Sequence, residues 1–380
     1  MKLVIDENIA SAKQAFNQFG EILLTNGRDI CNDILRNADV LIVRSITNVN
    51  ENLLANTNVK FVGSATIGTE HIDTNYLNIK EIVFASSKGC NADSVTEYVF
   101  TSLIKIASER NLTIKDKTIG IIGVGNIGSK VVNIAQTLGL KVLKNDPPKE
   151  RAGIGTGYVS LEEAIQADII TLHVPLNRTG IDKTIHLLDS KRLNKIKANA
   201  VLINTSRGAV VDNTALLNSI SDRKLNVVLD VWEDEPYINP GLLQKVILST
   251  PHIAGYSLEG KINGTKMIYD ALCKFTANPK EWQPVFPTIE HSEIELPASK
   301  FVEQKLHFIF KQIYNIANDD VLLRGILKID KKEMGAFFDK LRKEYPVRRE
   351  FNNYTILIRD ADKHLTGLLK SFRFKIAPMN

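Results

Sequence analysis

The chain has 380 residues, 44% hydrophobic and 24% charged, with a net charge of +5. That length exceeds one ordinary core, so two or three domains are expected, and the composition is that of a soluble globular chain. The basic residues are dispersed, which argues against nucleic acid as the main partner and suits a small anionic substrate. Cys31, Cys90 and Cys273 are scattered, with no CxxC or Cys/His cluster, so neither a disulfide framework nor a metal site is expected. Met1–Asp6 reads as a short strand and not a signal peptide, and no run of about eighteen apolar residues appears. The expected setting is cytoplasmic, without a membrane partner.

From residue 1 to about 90, short apolar runs alternate with helix-like patterns. Leu3–Ile5, Ile22–Leu24, Val40–Val43, Phe61–Val62 and Ile82–Ala85 read as strands, and Ile9–Phe19 as a helix. Such alternation implies a parallel sheet with helices on both faces, with ligands held beyond the carboxyl ends of the strands. Three of those ends carry Arg44-Ser45, Ser64–Gly68 and Lys88–Asn91, groups that could hold an anion or simply make turns. Ser94–Arg110 reads as a long helix, so a domain boundary is expected near residue 90.

Thr118–Gly128, TIGIIGVGNIG, organises the middle of the chain. An apolar strand runs into Gly123-Val124-Gly125-Asn126-Ile127-Gly128, and a helix-like pattern through Val131, Ile134 and Ala135 follows. A dinucleotide pyrophosphate needs this order: one glycine for the turn, one for close approach, one for helix–strand packing, and a helix N-terminus facing the anion. Lys141–Leu143 is a second strand, followed by Asp146. An acid about twenty residues past the glycines suits a ribose diol and disfavours a 2′-phosphate, so NAD is the expected cofactor. After a glycine-rich loop at 153–157, Ile169–Val174 is a strand carrying His173, read as structural or cofactor-adjacent.

Three further strands end in different functional groups. Ala200–Asn204 leads into Thr205-Ser206-Arg207-Gly208, and Asn226–Asp230 into Val231-Trp232-Glu233-Asp234-Glu235-Pro236. Val246–Leu248 leads into Ser249-Thr250-Pro251-His252-Ile253-Ala254-Gly255-Tyr256. In a doubly wound sheet these ends share one edge, beside the glycine turn. Together they fit oxidation of a 2-hydroxy acid. His252 is the base at the hydroxyl, Glu235 fixes its second ring nitrogen, and Arg207 holds a carboxylate. Asp230 is read as facing the nicotinamide end, with a structural role as the alternative.

Leu258–Asn278 reads as a long helix, and Pro279, Pro284, Pro287 and Pro297 mark a connector. Beyond it, Lys305–Ala317 and Met334–Leu341 look helical and Tyr354–Ile358 strand-like, giving a small α+β module suited to association.

These motifs resemble the D-isomer-specific 2-hydroxyacid dehydrogenase family, over residues 1 to about 285. The likeness rests on Gly123-x-Gly125-x-x-Gly128 with Asp146, Ser206-Arg207-Gly208, Asp230-Val231-Trp232-x-x-Glu235-Pro236 and His252-Ile253-Ala254-Gly255. It implies two doubly wound parallel-sheet (Rossmann/flavodoxin-like) domains, the first closed by the Leu258–Asn278 helix, plus a small C-terminal α+β dimerisation domain. The implied boundaries are 1–92 with 256–286 for substrate, 93–255 for NAD, and 287–380 for a homodimer contact.

By the same resemblance Arg207, Glu235 and His252 are catalytic. Gly123, Gly125, Asn126, Ile127, Gly128, Asp146, Thr205, Ser206, Arg207, Asp230 and Gly255 contact NAD. Val43–Thr47, Gly63–Asp73, His252–Lys261 and Tyr345–Phe351 extend the likeness to members acting on a phosphorylated hydroxy acid, and imply Ser45, Thr66 and Tyr256 as substrate contacts. Arg44 is then placed for the phosphate, with Arg348 or Arg349 as further candidates, from the same chain or from a partner subunit. Two alternatives stay open: D-3-phosphoglycerate or another D-2-hydroxyacid as substrate, and an NAD(H)-sensing, corepressor-like binding protein that kept the fold.

Overall fold

The computed structural model describes residues 1–297, 301–359 and 362–379. The chain divides into two compact units, Met1–Asn91 with Ser257–Thr288, and Ala92–Tyr256 with Ile289–Asn380.

The first unit is built on β1 (Lys2–Asp6), β2 (Glu21–Thr25), β3 (Val40–Val43), β4 (Phe61–Ser64) and β5 (Val83–Ser86). All pair in parallel, in the order β2-β1-β3-β4-β5. The continuous apolar run of β3 is buried throughout because both faces of the sheet are covered. Alternate residues go to opposite sides: Leu3, Ile5, Val40 and Ile42 pack with Phe16, Ile268, Tyr269 and Leu272. Val4, Leu41, Val43 and Val62 pack with Leu35, Leu54 and Leu77. The Leu258–Thr276 helix therefore returns to the first strands, and it lies so close that a Cβ on Gly63 would meet the Ile268 side chain at 2.5 Å.

The second unit holds β6 (Thr118–Ile122), β7 (Lys141–Asn145), β8 (Ile169–Leu172), β9 (Val201–Asn204), β10 (Asn226–Leu229) and β11 (Leu248–Ser249). They form one parallel sheet ordered β11-β10-β9-β8-β6-β7. The direction of winding reverses between β6 and β8, which puts the glycine turn at the switch point where open α/β sheets bind ligands.

The C-terminal module carries β12 (Glu293–Glu295), β13 (Thr355–Ile358) and β14 (Lys375–Pro378) in a small parallel sheet. Its helices include Val302–Ile313, Ile316–Arg324, Met334–Lys343 and Lys363–Ser371. The module falls in the same compact unit as the six-stranded sheet because the two share a core. Leu306, Ile309 and Phe310 turn inward with Phe100 and Leu103 of the Ala92–Glu109 helix. Phe372 meets Phe100 edge-on, with ring centroids 5.4 Å apart, and Phe310 at 5.0 Å. No helix among the described residues is long and apolar enough to cross a membrane.

A buried polar joint accompanies this core. Arg373 Nη2 lies 2.6 Å from Glu97 and 2.9 Å from Glu350, and the Phe351 N–H donates to Glu97 at 2.9 Å. Burial, and then the Glu350 carboxylate, push Glu97 from 4.5 up to about 8 against the pull of Arg373 and Phe351. The folded protein therefore binds a proton that the unfolded chain releases above 4.5, and this group's contribution to stability declines as pH rises from there through about 8. Relative to Glu97→Gln, the wild-type Tm is expected to fall progressively across that window. A constant Tm difference between the two across the window would contradict the assignment.

Candidate active site

The glycine turn is shaped by what stands around it. Gly123 has φ 87°, and a Cβ there would meet the His173 carbonyl at 2.7 Å. A Cβ on Gly128 would meet the Gly123 carbonyl at 2.0 Å, whereas at Gly125 nothing lies within 4 Å. Two glycines thus serve packing, and the third leaves backbone open to a ligand. The Asn126–Thr137 helix begins at Gly125 with no side-chain cap, so the N–H groups of its first turn, at Asn126, Ile127 and Gly128, are available to an anion. Asp146 sits at the end of β7, accepting from Val124 N–H at 2.8 Å and Lys149 N–H at 3.1 Å. It ties the turn to the neighbouring strand while remaining half-buried.

Among the described residues, Thr205 Oγ1 and His173 Nδ1, which follow β9 and β8, are buried polar atoms without a hydrogen-bond partner. Such atoms are costly unless something satisfies them. With the open backbone at Gly125 and the uncapped helix, the residues present fit a polyhydroxylated dinucleotide. His173 is not a base: burial depresses it to about 3, its Nε2 is held by Thr171 at 3.0 Å, and the ring stays neutral.

The loops after β9, β10 and β11 are stitched to one another. After β9, Asn204 Oδ1 accepts from Ser206 N–H and Oγ at 3.0 and 2.8 Å, its amide donates to the Arg207 carbonyl, and Arg207 Nη1 donates to the Ser206 carbonyl. Gly208 then presses on the β10 loop: a Cβ would meet Trp232 backbone at 1.9 Å. Trp232, 2% exposed, donates its indole N–H to the Thr250 carbonyl of the β11 loop at 3.0 Å. Finally His252 Nδ1 is hydrogen-bonded to Glu235 Oε1, whose second oxygen accepts from Trp232 N–H at 3.1 Å. Burial alone would raise the Glu235 carboxyl, but His252, Trp232 N–H and Arg342 hold it below the usual carboxylate range. With Nδ1 engaged, Nε2 is the nitrogen left for a reacting group.

His252 sits at φ 57°, a left-handed conformation costing about 1–2 kcal/mol for a residue with a side chain. Asp230 holds it there. Its carboxylate accepts from Ile253 N–H at 2.7 Å, Ala254 N–H at 3.0 Å and the Thr250 hydroxyl at 2.6 Å, and its carbonyl accepts from His252 N–H at 2.7 Å. The carboxylate is directed at the loop that carries the imidazole.

Tyr256 follows on the same loop. Over its ring, 5.5 Å from the centroid, lies the Arg342 guanidinium, and Tyr345 meets it edge-on at 5.9 Å. Arg342 was not signalled by the sequence; it is one basic residue among several in the Met334–Lys343 helix. Among the described residues its Nε is buried without a hydrogen-bond partner.

Arg348 and Arg349, named above as candidates for the phosphate, are buried at 7% and 9% exposure. Arg349 donates to Asn353 Oδ1 at 3.0 Å, and Arg348 Nη2 to Ser94 Oγ and the Ala254 carbonyl. The apolar and aromatic neighbours of the module draw this segment inward.

Within the first unit, Val43 pairs with Ser64, so Arg44, Ser45 and Thr66 gather at one edge. Ser45 is exposed and Arg44 half-buried. Thr66 Oγ1 lies 2.9 Å from Ser64 Oγ, which lies 3.2 Å from His71 Nε2.

A doubly wound NAD domain whose strand ends present Arg, Glu and His defines a class of oxidoreductase, and the comparisons agree: the chain belongs to the D-isomer specific 2-hydroxyacid dehydrogenase family. The NAD-binding domain of that family matches residues 94–254, and a domain of unknown function matches residues 285–370. The chain is 43% identical over 372 residues, 95% of each chain, to erythronate-4-phosphate dehydrogenases of Escherichia fergusonii and Shigella flexneri. Among solved structures it is similar to the NAD⁺-bound 3-phosphoglycerate dehydrogenase of Entamoeba histolytica, with 25% identity, TM-score 0.62, and coverage of 73% of this chain and 96% of that one. D-lactate dehydrogenase of Aquifex aeolicus shares the fold at TM-score 0.57 and 24% identity, over 73% of this chain and 96% of that one.

The glycine geometry separates binding from folding. Gly125→Ala is expected to leave Tm within about 2 °C, since its Cβ meets nothing, yet to weaken NAD binding about tenfold or more by crowding the pyrophosphate. Gly128→Ala should lower Tm markedly. Unchanged NAD affinity in Gly125→Ala, measured by fluorescence titration, would contradict this placement.

Proposed function

We propose that this enzyme oxidises 4-phospho-D-erythronate to (R)-3-hydroxy-2-oxo-4-phosphooxybutanoate, with NAD as acceptor, in the formation of pyridoxine 5′-phosphate. The substrate follows the name shared by relatives 43% identical over nearly the whole chain. The chemistry is carried by one observation, the His252–Glu235 hydrogen bond beside the Arg207 loop.

In this reading Arg207 receives the substrate carboxylate on its planar, permanently charged fork. His252 Nε2 accepts the C2 hydroxyl proton as the carbonyl forms, and Glu235 steadies the resulting imidazolium and fixes the ring. The bound nicotinamide supplies the acceptor for the C2 hydride. Gly123, Gly125, Asn126, Ile127, Gly128, Asp146, Thr205, Ser206, Asp230 and Gly255 are assigned to the cofactor. Ser45, Thr66 and Tyr256 are assigned to the substrate, with Arg44 and Arg342 as cations for its phosphate. Arg342 earns that place through its position over Tyr256 and its unpartnered Nε.

The same reading makes the enzyme a cytoplasmic homodimer joined through the C-terminal module. Phe301, Phe308, Val321, Leu322 and Val347 leave apolar surface exposed there, which a second copy would cover.

NADH formation with 4-phosphoerythronate, 3-phosphoglycerate and glycerate tests the substrate. The first should exceed the others in kcat/KM by about a hundredfold; a preference for 3-phosphoglycerate would overturn the assignment. For the phosphate cation, Arg342→Met should raise KM for the phosphorylated substrate about tenfold or more and leave KM for the unphosphorylated acid nearly unchanged. Equal effects on both would remove Arg342 from that role.

A further inference from the structure

The C-terminal module reaches the loop that carries the proposed catalytic imidazole at several points, and the Arg348 guanidinium is the one that bonds its backbone next to His252. Ala254, two residues past His252, has its N–H on Asp230 and its carbonyl turned the opposite way. That carbonyl accepts from Ser94 Oγ at 2.9 Å and from Arg348 Nη2, and Arg348 Nη2 also touches Ser94 Oγ. Ala254 is thus held through both of its flanking peptide groups, by a carboxylate on its N–H and by a hydroxyl and a cation on its carbonyl.

Arg348 is itself fixed. Its guanidinium lies 4.4 Å from the centroid of the Tyr314 ring. Tyr314 and Tyr345 both donate to Asp319 Oδ2, at 2.9 and 3.1 Å, which keeps a carboxylate near the buried cation. The segment that follows is anchored on the same helix as Ser94. Phe351 N–H donates to Glu97. A second chain of contacts closes on the same loop, since Tyr98 of that helix meets Thr250 at 2.7 Å, and Thr250 donates to Asp230.

We infer that Arg348 is a positioning residue: by holding the Ala254 carbonyl it keeps His252 in its left-handed conformation and its ring on Glu235. The inference rests on His252 being the proton acceptor of the proposed reaction. A residue with a side chain stays in that conformation only where its surroundings over-determine it. Asp230 fixes the amide side of the loop. On the carbonyl side, among the described residues, the donors are Ser94 and Arg348, and a charge-assisted bond is roughly twice as strong as a neutral one. The module matched to a domain of unknown function would then serve the active site of its own chain, whatever else it joins.

Arg348→Met is the direct test, with Arg373→Met as control. The control removes another cation of the same module from the same helix without touching the loop. Both should lower Tm. Arg348→Met alone should lower kcat per folded enzyme about 10- to 100-fold, shift the pH profile of kcat, and leave KM for NAD within about twofold. Should Arg348→Met not accumulate as folded protein, Ser94→Ala serves, with kcat expected to fall about three- to tenfold. An unchanged kcat and pH profile in Ser94→Ala, or in folded Arg348→Met, would overturn the inference while wild-type turnover left the functional reading intact. Wild-type enzyme that oxidised no 2-hydroxy acid would instead overturn that reading and this inference with it.

Discussion

The Asp230 carboxylate accepts from two consecutive backbone N–H groups, Ile253 and Ala254, and from the Thr250 hydroxyl, all within 3.0 Å. The carboxyl is 1% exposed, and burial raises it above the ordinary carboxylate range against the pull of His252 and its donors. Hydrogen bonds to a charged acceptor contribute about 1.5–3 kcal/mol each, so three outweigh the roughly 1–2 kcal/mol of a left-handed His252. What results is an imidazole whose direction is set by its backbone before any ligand arrives. Glu235 then needs only to engage Nδ1.

That constraint exists because the sheet is parallel. Each of β9, β10 and β11 runs the same way, so the three functional loops emerge on one edge. Adjacent edges alone would leave them free to diverge. Gly208 against the Trp232 backbone and the Trp232 indole on the Thr250 carbonyl hold them together. The glycine turn lies at the carboxyl end of β6 in the same sheet, at the switch point. In the proposed reaction, the groups assigned to the cofactor and the proposed proton acceptor would thus belong to one sheet, as a reaction that moves hydride and proton from neighbouring substrate atoms requires.

Much of this was legible because parallel strands are written as unbroken apolar runs. Val40–Val43 is predicted and found with the same ends, and the strands before Thr205, Asp230 and Ser249 are found within two residues of expectation. The glycine turn is equally readable, since each glycine answers a local steric demand. The C-terminal module is less so. β12 is a three-residue strand with glutamates at both ends, and β14 alternates weakly, so neither carries a hydrophobic signal. Its merger with the NAD domain arises from aromatic contacts such as Phe100 on Phe372, hundreds of residues apart. Arg342, and the contact that Arg348 makes with Ala254, escaped for the same reason. A basic residue in an amphipathic helix or turn looks solvated until the fold brings Tyr256 or Ala254 beside it. Of the paired arginines, Arg348 reaches the Ala254 carbonyl and Arg349 the Asn353 side chain.

The family places hydride chemistry on the nicotinamide, so what distinguishes this chain is how its residues present an anionic hydroxy acid to it. A crystal structure of the complex with NAD and 4-phosphoerythronate would test that most directly. The account expects the substrate carboxylate on Arg207 and the C2 hydroxyl within about 3 Å of His252 Nε2, with Nδ1 still on Glu235. A substrate bound with C2 away from His252, or with Arg207 turned from the carboxylate, would contradict it.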